Sequence, residues 1–389
     1  MDLNDRPEHK VYREEVRAFL SEYKHLAPGE SAFSFRMEPR KLREKVQIWQ
    51  GLLVDHGYTS RTVPKKYGGF GADVDILKNR IIADEFFATN VIQGLGNQGI
   101  SMFVPTVLEH GSEELKERYI RSTIRSEIVW CQGYSEPGAG SDLASLQTRA
   151  EDQGDFYLIN GSKIWTSNAY MSDWMFCLVR TDPAAKKHEG ISFVLLDMKD
   201  PGLTVNQIEL INGDREFCQV FFDSVKAEKV NLIGRENEGW SIAKRLLQFE
   251  RSAVGDGDFI PRSDSLPQLL KKYAPDNSAQ RDRVLAIELH RAAYRLTQRR
   301  AREEQKSMAT PTFATSAFKH LSSQLESRSL DETVSLMGTQ GLGWAEDGFD
   351  KDELAATRKM LLSKGFLIAG GSSEVQLNVI AKRVLGLPE

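Results

Sequence analysis

A glycine-rich stretch in the middle of the chain has the residue types of a ligand-binding loop. WCQGYSEPGAGSDLASL (residues 130–146) places Gly138 and Gly140 around an alanine, and Ser141 and Asp142 follow. Small residues leave backbone N–H groups accessible, so this loop could bind a polar heteroaromatic ring or a thioester oxygen. By itself, such a loop is a weak signal.

A second glycine-rich stretch lies near the end of the chain. In FLIAGGSSEVQLN (366–378), Gly370 and Gly371 end an apolar run, and two serines and Glu374 then begin a helix. A glycine pair is common in plain turns because glycine adopts positive φ without steric cost. The alternative is a backbone segment that approaches a ligand, with a helix N-terminus directed at it.

The elements that position these stretches change character along the chain. EHKVYREEVRAFLSEYK and EELKERYIRSTIR in the first third have the periodicity of amphipathic helices, and TVPKKYGGFGAD is a loop between such blocks. The middle third is rich in β-forming residues, as in ISFVLLDM, LTVNQIELI and CQVFFDSV. In GDFYLINGSKIWTSN, Asn160-Gly161 predicts a hairpin turn between two strands.

The last third is again helical. GWSIAKRLLQFERSAVG, AQRDRVLAIELHRAAYRLTQRRAREEQ, ATSAFKHLSSQLESRSLDETVSLMG and SSEVQLNVIAKRVLG all read as helices. The order of helices, strands and helices predicts an α+β fold rather than alternating βαβ units. GLGNQG (94–99) matches a dinucleotide fingerprint in letters only, because it follows a predicted helix and no βαβ unit surrounds it.

Composition excludes several classes of protein. The chain has 389 residues, with 40% hydrophobic and 27% charged residues and a net charge of −4. This charge gives no basic field for nucleic acid or anionic membranes. No apolar run is long enough to span a membrane, and the charged N-terminus is not a secretory signal. Cys131, Cys177 and Cys218 lack metal or redox spacing, so we expect reduced thiols in the cytoplasm of a bacterium.

Several motifs together carry a family resemblance. YSEPGAGSD, followed some twenty residues later by NGSKIWTSNA, resembles the flavin-binding middle domain of the acyl-CoA dehydrogenases. Similar stretches extend along nearly the whole chain: GYTSRTVPKKYGGFGAD, LIGRENEGWSIAKRLLQFER, LMGTQGLG and IAGGSSEVQLNVIAKRVLGLP. The resemblance implies an N-terminal helical domain (1–125), a middle β-sandwich or barrel-like domain (126–235) and a C-terminal four-helix bundle (236–389).

The resemblance also implies FAD as cofactor and assigns its contacts. Trp165 would lie against the isoalloxazine ring, with Ser167 at its N5 and O4 edge. Without the resemblance, Trp165 is simply a large core residue of a strand. The remaining contacts would come from Gln132, Tyr134, Ser135, Gly140, Ser141, Ser372 and Glu374, and from Gly338 and Thr339 of a neighbouring subunit. Ser141 would also touch the thioester of the acyl-CoA substrate.

The resemblance implies a catalytic base at an unusual position, because the glutamate common in the family is missing and a Glu-Arg pair matches elsewhere. Many family members have the catalytic glutamate where this chain has Gly370. Glu250 and Arg251 match the Glu-Arg pair that the isovaleryl-CoA dehydrogenase branch uses instead, with Arg251 near the substrate. Helical spacing places Glu250 beside an apolar stripe, which would improve it as a base near neutral pH. The alternative for Glu250 is an ordinary glutamate paired with an arginine of the bundle.

The implied reaction is dehydrogenation of an acyl-CoA to its trans-2-enoyl-CoA. Glu250 would remove the α-proton, and flavin N5 would accept the β-hydride. An electron-transfer flavoprotein would then accept the electrons. The Gly370 N–H would bind the thioester oxygen, and its missing side chain leaves room for a branched, cyclic or bulky acyl group. Two rivals stay open: a flavin monooxygenase or oxidase, and a non-catalytic partner subunit.

The chain departs from the family pattern in two places. The Arg-x-x-Phe-Gly stretch that contacts a partner's cofactor is missing, and a longer segment with three prolines (257–286) replaces it. KMLLSKGFLIAGG also lacks the usual Arg-Asp-Ala run. Both departures resemble a bacterial subgroup that includes α2β2 assemblies. A homotetramer and an α2β2 assembly with a homologous subunit are therefore both open.

Overall fold

The backbone forms two compact units. The computed structural model describes residues 7–28, 39–95, 97–256, 265–307, 315–345 and 347–388, without the side chains of 39–42, 76, 250–256, 299 and 302–307. The first unit comprises Met1–Ile208 and Glu216–Leu246, and the second comprises Glu209–Arg215 and Leu247–Glu389. The first unit contains both the N-terminal helices and the strands, so the division into three domains stays a prediction.

The N-terminal helices of the first unit pack around an apolar core. They are α1 (Pro7–Tyr23), α2 (Pro39–Asp55), α3 (Ile76–Ala88), α4 (Val104–His110) and α5 (Glu113–Ile124). Val16, Phe19 and Leu20 of α1 are buried at helical spacing. α5 begins at Ser112, whose side chain accepts a hydrogen bond from the Leu115 amide. The predicted helices near residues 8–24 and 113–125 are thus confirmed, and GLGNQG follows helix α3, not a strand.

Among the residues that the structure describes, eight strands form one mixed sheet in the first unit. They are β1 (Trp130–Gly133), β2 (Arg149–Asp152), β3 (Phe156–Ser167), β4 (Trp174–Arg180), β5 (Ile191–Asp197), β6 (Leu203–Ile208), β7 (Phe217–Glu228) and β8 (Leu232–Ile233). The order is β6-β7-β3-β2-β4-β5-β8, and β1 pairs in parallel with β4. β4 and β5 are almost entirely buried, which explains why their sequences are apolar without alternation.

The predicted hairpin at Asn160-Gly161 is wrong. Both residues lie inside β3, which continues to Ser167 and pairs with β7 along its length. Between Ile159 and Gly161 the register shifts, because β7 contributes an extra residue and Ser224 there adopts a positive φ of 57°. The Asn160 side chain accepts a hydrogen bond from the Ser224 amide (2.8 Å). The Asn-Gly pair therefore lies opposite a β-bulge in β7 and does not form a turn.

Gly161 is required by close packing as well as by its conformation. Its φ is +145°, and an added Cβ would lie 2.8 Å from the Cα of Thr148. A side chain at this position would therefore collide with the backbone of the segment that leads into β2.

A buried ion pair joins β3 to the loop that follows β1. Lys163 is fully buried, and its Nζ donates to Glu136 Oε1 (2.8 Å) and to the Tyr134 carbonyl (3.1 Å). Glu136 also accepts hydrogen bonds from the amides of Gln147 (2.6 Å) and Thr148 (2.9 Å). Burial raises the pKa of Glu136, but Lys163 and these hydrogen bonds more than offset burial, so the pKa lies below its ordinary value.

The second unit is helical. It contains the end of α6 (Gly239–Asp256) and all of α7 (Leu266–Tyr273), α8 (Ser278–Ser307), α9 (Thr315–Met337), α10 (Lys351–Phe366) and α11 (Ser373–Val379). Its core includes Leu269, Val284, Ile287 and Leu336. The α+β fold with helical ends and a β-sheet in the middle is confirmed.

α9 departs from the usual amphipathic pattern. Several of its buried residues are polar, among them Ser323, Ser329 and Glu332. Ser329 Oγ donates to the Leu325 carbonyl one turn earlier (2.6 Å), so a buried hydroxyl is satisfied within the helix. The Glu332 carboxylate accepts from Arg283 of α8 (2.9 Å).

Three further observations concern the described residues only. No helix among them is long and apolar enough to cross a membrane. They contain no group of three or more His, Cys, Asp or Glu side chains that could hold a metal ion. Cys131, Cys177 and Cys218 are free and buried, and burial raises the pKa of each thiol.

We predict that Glu136→Gln destabilises the protein by about 3–5 kcal/mol, because it leaves the Lys163 ammonium buried without its opposite charge. The free energy of unfolding from urea titration measures this. Glu228→Gln is the matched control: Glu228 is exposed on β7 and pairs with Lys226, so its loss should change stability by less than about 0.5 kcal/mol.

The same pair predicts a dependence on pH. A carboxyl with a lowered folded-state pKa stabilises the fold above its unfolded value and loses this contribution as pH falls through the folded value. The stability of the wild type should therefore fall with acid below about pH 4.5, the ordinary pKa of this carboxyl, and more steeply than that of Glu136→Gln. If the free energy of unfolding changed equally with pH in the wild type and in Glu136→Gln, Glu136 would not be the carboxyl responsible.

Candidate active site

A strained tryptophan marks the candidate site of the first unit. Between the pairs Lys163–Val220 and Thr166–Cys218, β3 has one residue more than β7, so this part of β3 is bulged. Trp165 lies in the bulge with a φ of +60°, a conformation that bulky residues rarely adopt. Its side chain is 54% exposed. Trp165 is therefore not a core residue, and an exposed, strained aromatic residue is typical of a binding site.

The loop after β1 runs alongside this bulge. The Ile164 amide donates to the Ser135 carbonyl (2.8 Å), and Lys163 holds the Tyr134 carbonyl. The structure thus brings Tyr134 and Ser135, both predicted from the sequence, next to the residues that precede Trp165. Gln132 lies in β1, opposite Phe176 of β4.

The predicted glycine loop continues from there as a tight turn. Glu136 and Ala139 exchange two backbone hydrogen bonds (3.1 and 3.0 Å), which leaves Gly138 and Gly140 exposed. A Cβ added at either glycine would meet nothing within 4 Å. Ser141, the next residue, is also exposed. The loop therefore presents backbone and a hydroxyl to open space.

Arg180 holds the far end of the same loop. It is buried at the end of β4 and donates to the carbonyls of Ala144 (2.7 Å) and Glu189 (2.8 Å). Burial lowers the pKa of Arg180, and the nearby Glu136 opposes this. Asp142 forms a second link through its ion pair with Lys187. Side chains from β3, β4 and the β4–β5 connection therefore fix the loop at both ends.

Two polar atoms beside Trp165 are left without hydrogen-bond partners. Among the residues that the structure describes, nothing bonds to the buried Thr166 Oγ1 or to Asn168 Oδ1. Asn168 has a φ of +57°, which turns the chain after Ser167 at the end of β3. An exposed indole, an open glycine loop and unsatisfied polar atoms suit a planar ring with a polar edge. The residues of this region thus fit a flavin.

The second unit contains the other predicted contacts. Gly370 and Gly371 have φ values of +65° and +97°, so the glycine pair does form a turn. Ser372 is the N-cap of α11 and accepts from the Val375 amide (3.4 Å), and Glu374 lies in the first turn. The pKa of Glu374 is lowered by hydrogen bonds from its own backbone and from Ser372, with a smaller contribution from neighbouring cations.

Gly338 and Thr339 lie at the opposite end of α9 from the glycine turn. Lys319, near the start of α9, donates to the Gly371 carbonyl (2.7 Å), whereas Gly338 follows the last residue of α9. The 18 residue-to-residue steps from Lys319 to Met337 span about 27 Å at 1.5 Å per step. The described chain therefore does not bring Gly338 and Thr339 to the glycine turn.

The predicted base lies outside the described side chains. Glu250 and Arg251 belong to helix α6, but their side chains are not among those that the structure describes. Leu246, one turn before Glu250, is fully buried. The roles of Glu250 and Arg251 stay predictions.

Sequence reasoning missed several residues that shape the site. Glu136, Lys163 and Arg180 were not singled out, although Lys163 continues the inward positions of Tyr157 and Ile159 along β3. A lysine at an inward strand position is a readable signal of a buried ion pair. No such pattern identifies Arg180 or Glu136, because their partners come from distant segments.

A surface pocket of about 300 Å³ lies apart from these residues. It is lined by residues of α2 and of the segment after α5, including Ile48, Gly51 and Arg125. None of the predicted site residues whose side chains are described lines it. Arg125 is paired there with Asp55 through two hydrogen bonds (2.8 and 2.9 Å).

Comparison with known proteins identifies the family. Models of the acyl-CoA dehydrogenase N-terminal, middle and C-terminal domains match residues 6–127, 131–225 and 237–385. Acyl-CoA dehydrogenase IpdE1 of Mycobacterium tuberculosis is 32% identical over 385 residues, 97% of each chain.

Two solved structures share the fold over the full length of both chains. One is the Tcur3481-Tcur3483 steroid ACAD, with a TM-score of 0.77 and 24% identity. The other is the ChsE4-ChsE5 complex from Mycobacterium tuberculosis, with a TM-score of 0.77 and 23% identity. With its three matched domains, the chain belongs to the acyl-CoA dehydrogenase family, whose members are FAD-dependent oxidoreductases that act on CH–CH bonds.

Proposed function

We propose that this chain dehydrogenates an acyl-CoA thioester to the trans-2-enoyl-CoA, with Glu250 as catalytic base. The observation that carries the proposal is Trp165, a strained and exposed residue in a bulge. The family resemblance assigns this tryptophan to the flavin. The buried Lys163–Glu136 pair beside it supports a preformed site, because it fixes the adjoining loop.

The cofactor contacts follow the residues that the family motifs assign. In the first unit they are Gln132, Tyr134, Ser135, Gly140, Ser141, Trp165 and Ser167, and in the second Ser372 and Glu374. When bound, FAD supplies an acceptor for the hydride at N5. Trp165 presents its indole for stacking, and the loop that contains Gly140 and Ser141 presents N–H groups and a hydroxyl.

The chemical roles concern three residues. Glu250 takes the proton from Cα of the substrate while hydride leaves Cβ, so that the Cα–Cβ double bond forms. The Gly370 amide donates a hydrogen bond to the thioester oxygen and stabilises the charge that develops there, and one such donor is typically worth about 3 kcal/mol. Arg251 lies next to the base and contributes to substrate binding.

The acyl group is proposed to be branched, cyclic or otherwise bulky. Position 370 carries a glutamate in many members of the family, and here it carries a single hydrogen. The positive φ of Gly370 supports a turn that is built for glycine. The space that a glutamate side chain would fill is then available to substrate.

A second subunit is proposed to complete the cofactor contacts. Gly338 and Thr339 lie about 27 Å along α9 from the glycine turn, which supports their action on a neighbour's cofactor. The assembly is then a homotetramer or an α2β2 complex with a homologous chain, and flavin content per chain with and without a co-expressed homologue separates the two. The electron acceptor is proposed to be an electron-transfer flavoprotein.

Two other functions are compatible with the same fold. A flavin monooxygenase or oxidase would pass electrons from reduced flavin to oxygen and needs no base for an α-proton. A non-catalytic subunit would serve assembly, and the protein would be purified without yellow flavin. The exposed, strained Trp165 favours a flavin-binding chain over the latter.

We predict that Glu250→Gln keeps FAD bound but slows flavin reduction by acyl-CoA at least about 100-fold, since it removes the base. Anaerobic stopped-flow absorbance of the flavin measures this. Glu326→Gln is the control, because Glu326 on α9 is a second carboxyl of this helical unit whose pKa is raised by burial. Loss of reduction in Glu326→Gln with retention in Glu250→Gln would reverse the assignment of the base.

We predict that Trp165→Leu weakens FAD binding about 3- to 10-fold, because aromatic stacking contributes about 0.5–1.5 kcal/mol. Titration of apoprotein with FAD, followed by quenching of tryptophan fluorescence, gives the dissociation constant. Trp344→Leu is the matched control: Trp344 is 46% exposed in the second unit and lies against Arg358 (4.4 Å). Equal affinities of the two variants would contradict the role of Trp165.

We predict that branched and alicyclic acyl-CoAs reduce the flavin faster than butyryl- and octanoyl-CoA, because Gly370 leaves space beside Cα and Cβ. Anaerobic titration of the purified protein with this panel, observed as flavin bleaching, is the measurement. A clear preference for the straight chains would remove the proposal of a bulky acyl group while leaving the dehydrogenase reaction intact.

A further inference from the structure

The double-glycine turn, Gly370 and Gly371, is held by side chains as well as by its own backbone. The amides of Ile368 and Ala369 both donate to the Gly365 carbonyl (3.0 and 2.9 Å), which closes the end of α10. The two glycines that follow adopt left-handed conformations. Glycine has the widest range of allowed φ and ψ, so two glycines in succession form a flexible segment. Contacts from other residues are needed to keep it in one conformation.

Two side chains provide this restraint. Lys319 Nζ donates to the Gly371 carbonyl (2.7 Å), and Gln376 Nε2 donates to the Gly370 carbonyl (3.3 Å). Gln376 packs so closely that an added Cβ on Gly371 would lie 2.6 Å from its Nε2. Because each peptide unit is planar and trans, the held Gly370 carbonyl fixes the direction of the Gly371 N–H, and the held Gly371 carbonyl fixes that of the Ser372 N–H. The Gly370 N–H precedes these two peptide units and follows the Ala369 amide, which is bonded to the Gly365 carbonyl.

The amides of the turn have no backbone partner among the described residues. Within the described part of the chain, no backbone carbonyl accepts from the amides of Gly370, Gly371 or Ser372. Donors held in fixed directions and left unpaired by the fold are suited to a ligand oxygen.

Lys319 reaches the turn from a different helix. It is 9% exposed near the start of α9, and the Ser323 hydroxyl donates to its carbonyl (2.7 Å). Lys319 and the adjacent His320 both contribute to the lowered pKa of Glu374, after the hydrogen bonds from the Glu374 backbone and Ser372. Burial of an ammonium is costly, so a hydrophobic residue would serve simple packing better.

We propose that Lys319 is a positioning residue that keeps the double-glycine turn in one conformation, so that the Gly370 amide, between the bonded Ala369 amide and the two held carbonyls, meets the thioester oxygen. This inference rests on the proposed dehydrogenase function. Lys319 itself touches neither the substrate nor the reacting atoms, and it acts through the carbonyl of Gly371.

The test compares three variants of the FAD-loaded protein. Lys319→Met keeps the length of the side chain but removes the ammonium, whereas Lys319→Arg keeps a donor. Lys364→Met is the matched control, because Lys364 on α10 directs its ammonium at Asp331 and Ser327 of α9. Lys319→Gln replaces Lys319→Met should the latter fail to fold, as judged by circular dichroism.

Two readouts are needed. Hydrogen exchange of peptides covering 366–376, measured without substrate, should be at least about 10-fold faster in Lys319→Met, since the turn loses its restraint. The kcat with an acyl-CoA should fall about 10- to 100-fold with a smaller change in KM, as expected when a catalytic donor is misplaced. Lys319→Arg should recover part of both effects, and Lys364→Met should match the wild type.

The outcomes distinguish the positioning role of Lys319 from the proposed dehydrogenase function. Unchanged exchange in Lys319→Met, or faster exchange with unchanged kcat, overturns the positioning role. A wild-type protein whose flavin is reduced by no acyl-CoA overturns the proposed function instead, and the exchange experiment still decides whether Lys319 orders the turn.

Discussion

The structure of the first unit depends on one buried ion pair. Lys163 and Glu136 are held 2.8 Å apart inside the protein, and each has further hydrogen bonds to backbone groups. A buried charge is tolerated only when it is paired and its remaining donors or acceptors are satisfied. This requirement couples β3, the loop after β1 and the segment before β2, so that none of the three can shift independently.

The strain at Trp165 is tolerated because of this coupling. A tryptophan in the left-handed backbone conformation costs free energy, and this conformation persists only where the surrounding structure determines the backbone. Here the Ile164 amide is bonded to Ser135, and Lys163 anchors the strand immediately before the bulge. The rigid scaffold thus stabilises an exposed ring that the hydrophobic effect alone would bury.

In the second unit, too, a backbone segment in an unusual conformation is held by side chains from other elements. Its glycine turn has no side chain of its own to pack, so α9 and α11 contribute Lys319 and Gln376 to hold the two carbonyls. Lys319 is one of the buried polar residues that weaken the amphipathic pattern of α9 in the sequence. In both units, buried polar side chains restrain the backbone that the family motifs assign to cofactor or substrate.

The sequence alone determined the α+β class, several helices and strands such as α5, α8 and β5, and the family, because periodicity and motifs are local properties. For Gly370 and Gly371 it offered a turn as one of two alternatives, because glycine adopts positive φ without steric cost, and both residues have positive φ. It was wrong at Asn160-Gly161, where the long pairing of β3 with β7 overrode a strong turn signal. Only the tertiary structure revealed the exposure of Trp165, the Lys163–Glu136 pair, the Arg180 contacts and the Lys319 contact. Each depends on residues that are far apart in the chain, and their proximity is decided by packing rather than by spacing in the sequence.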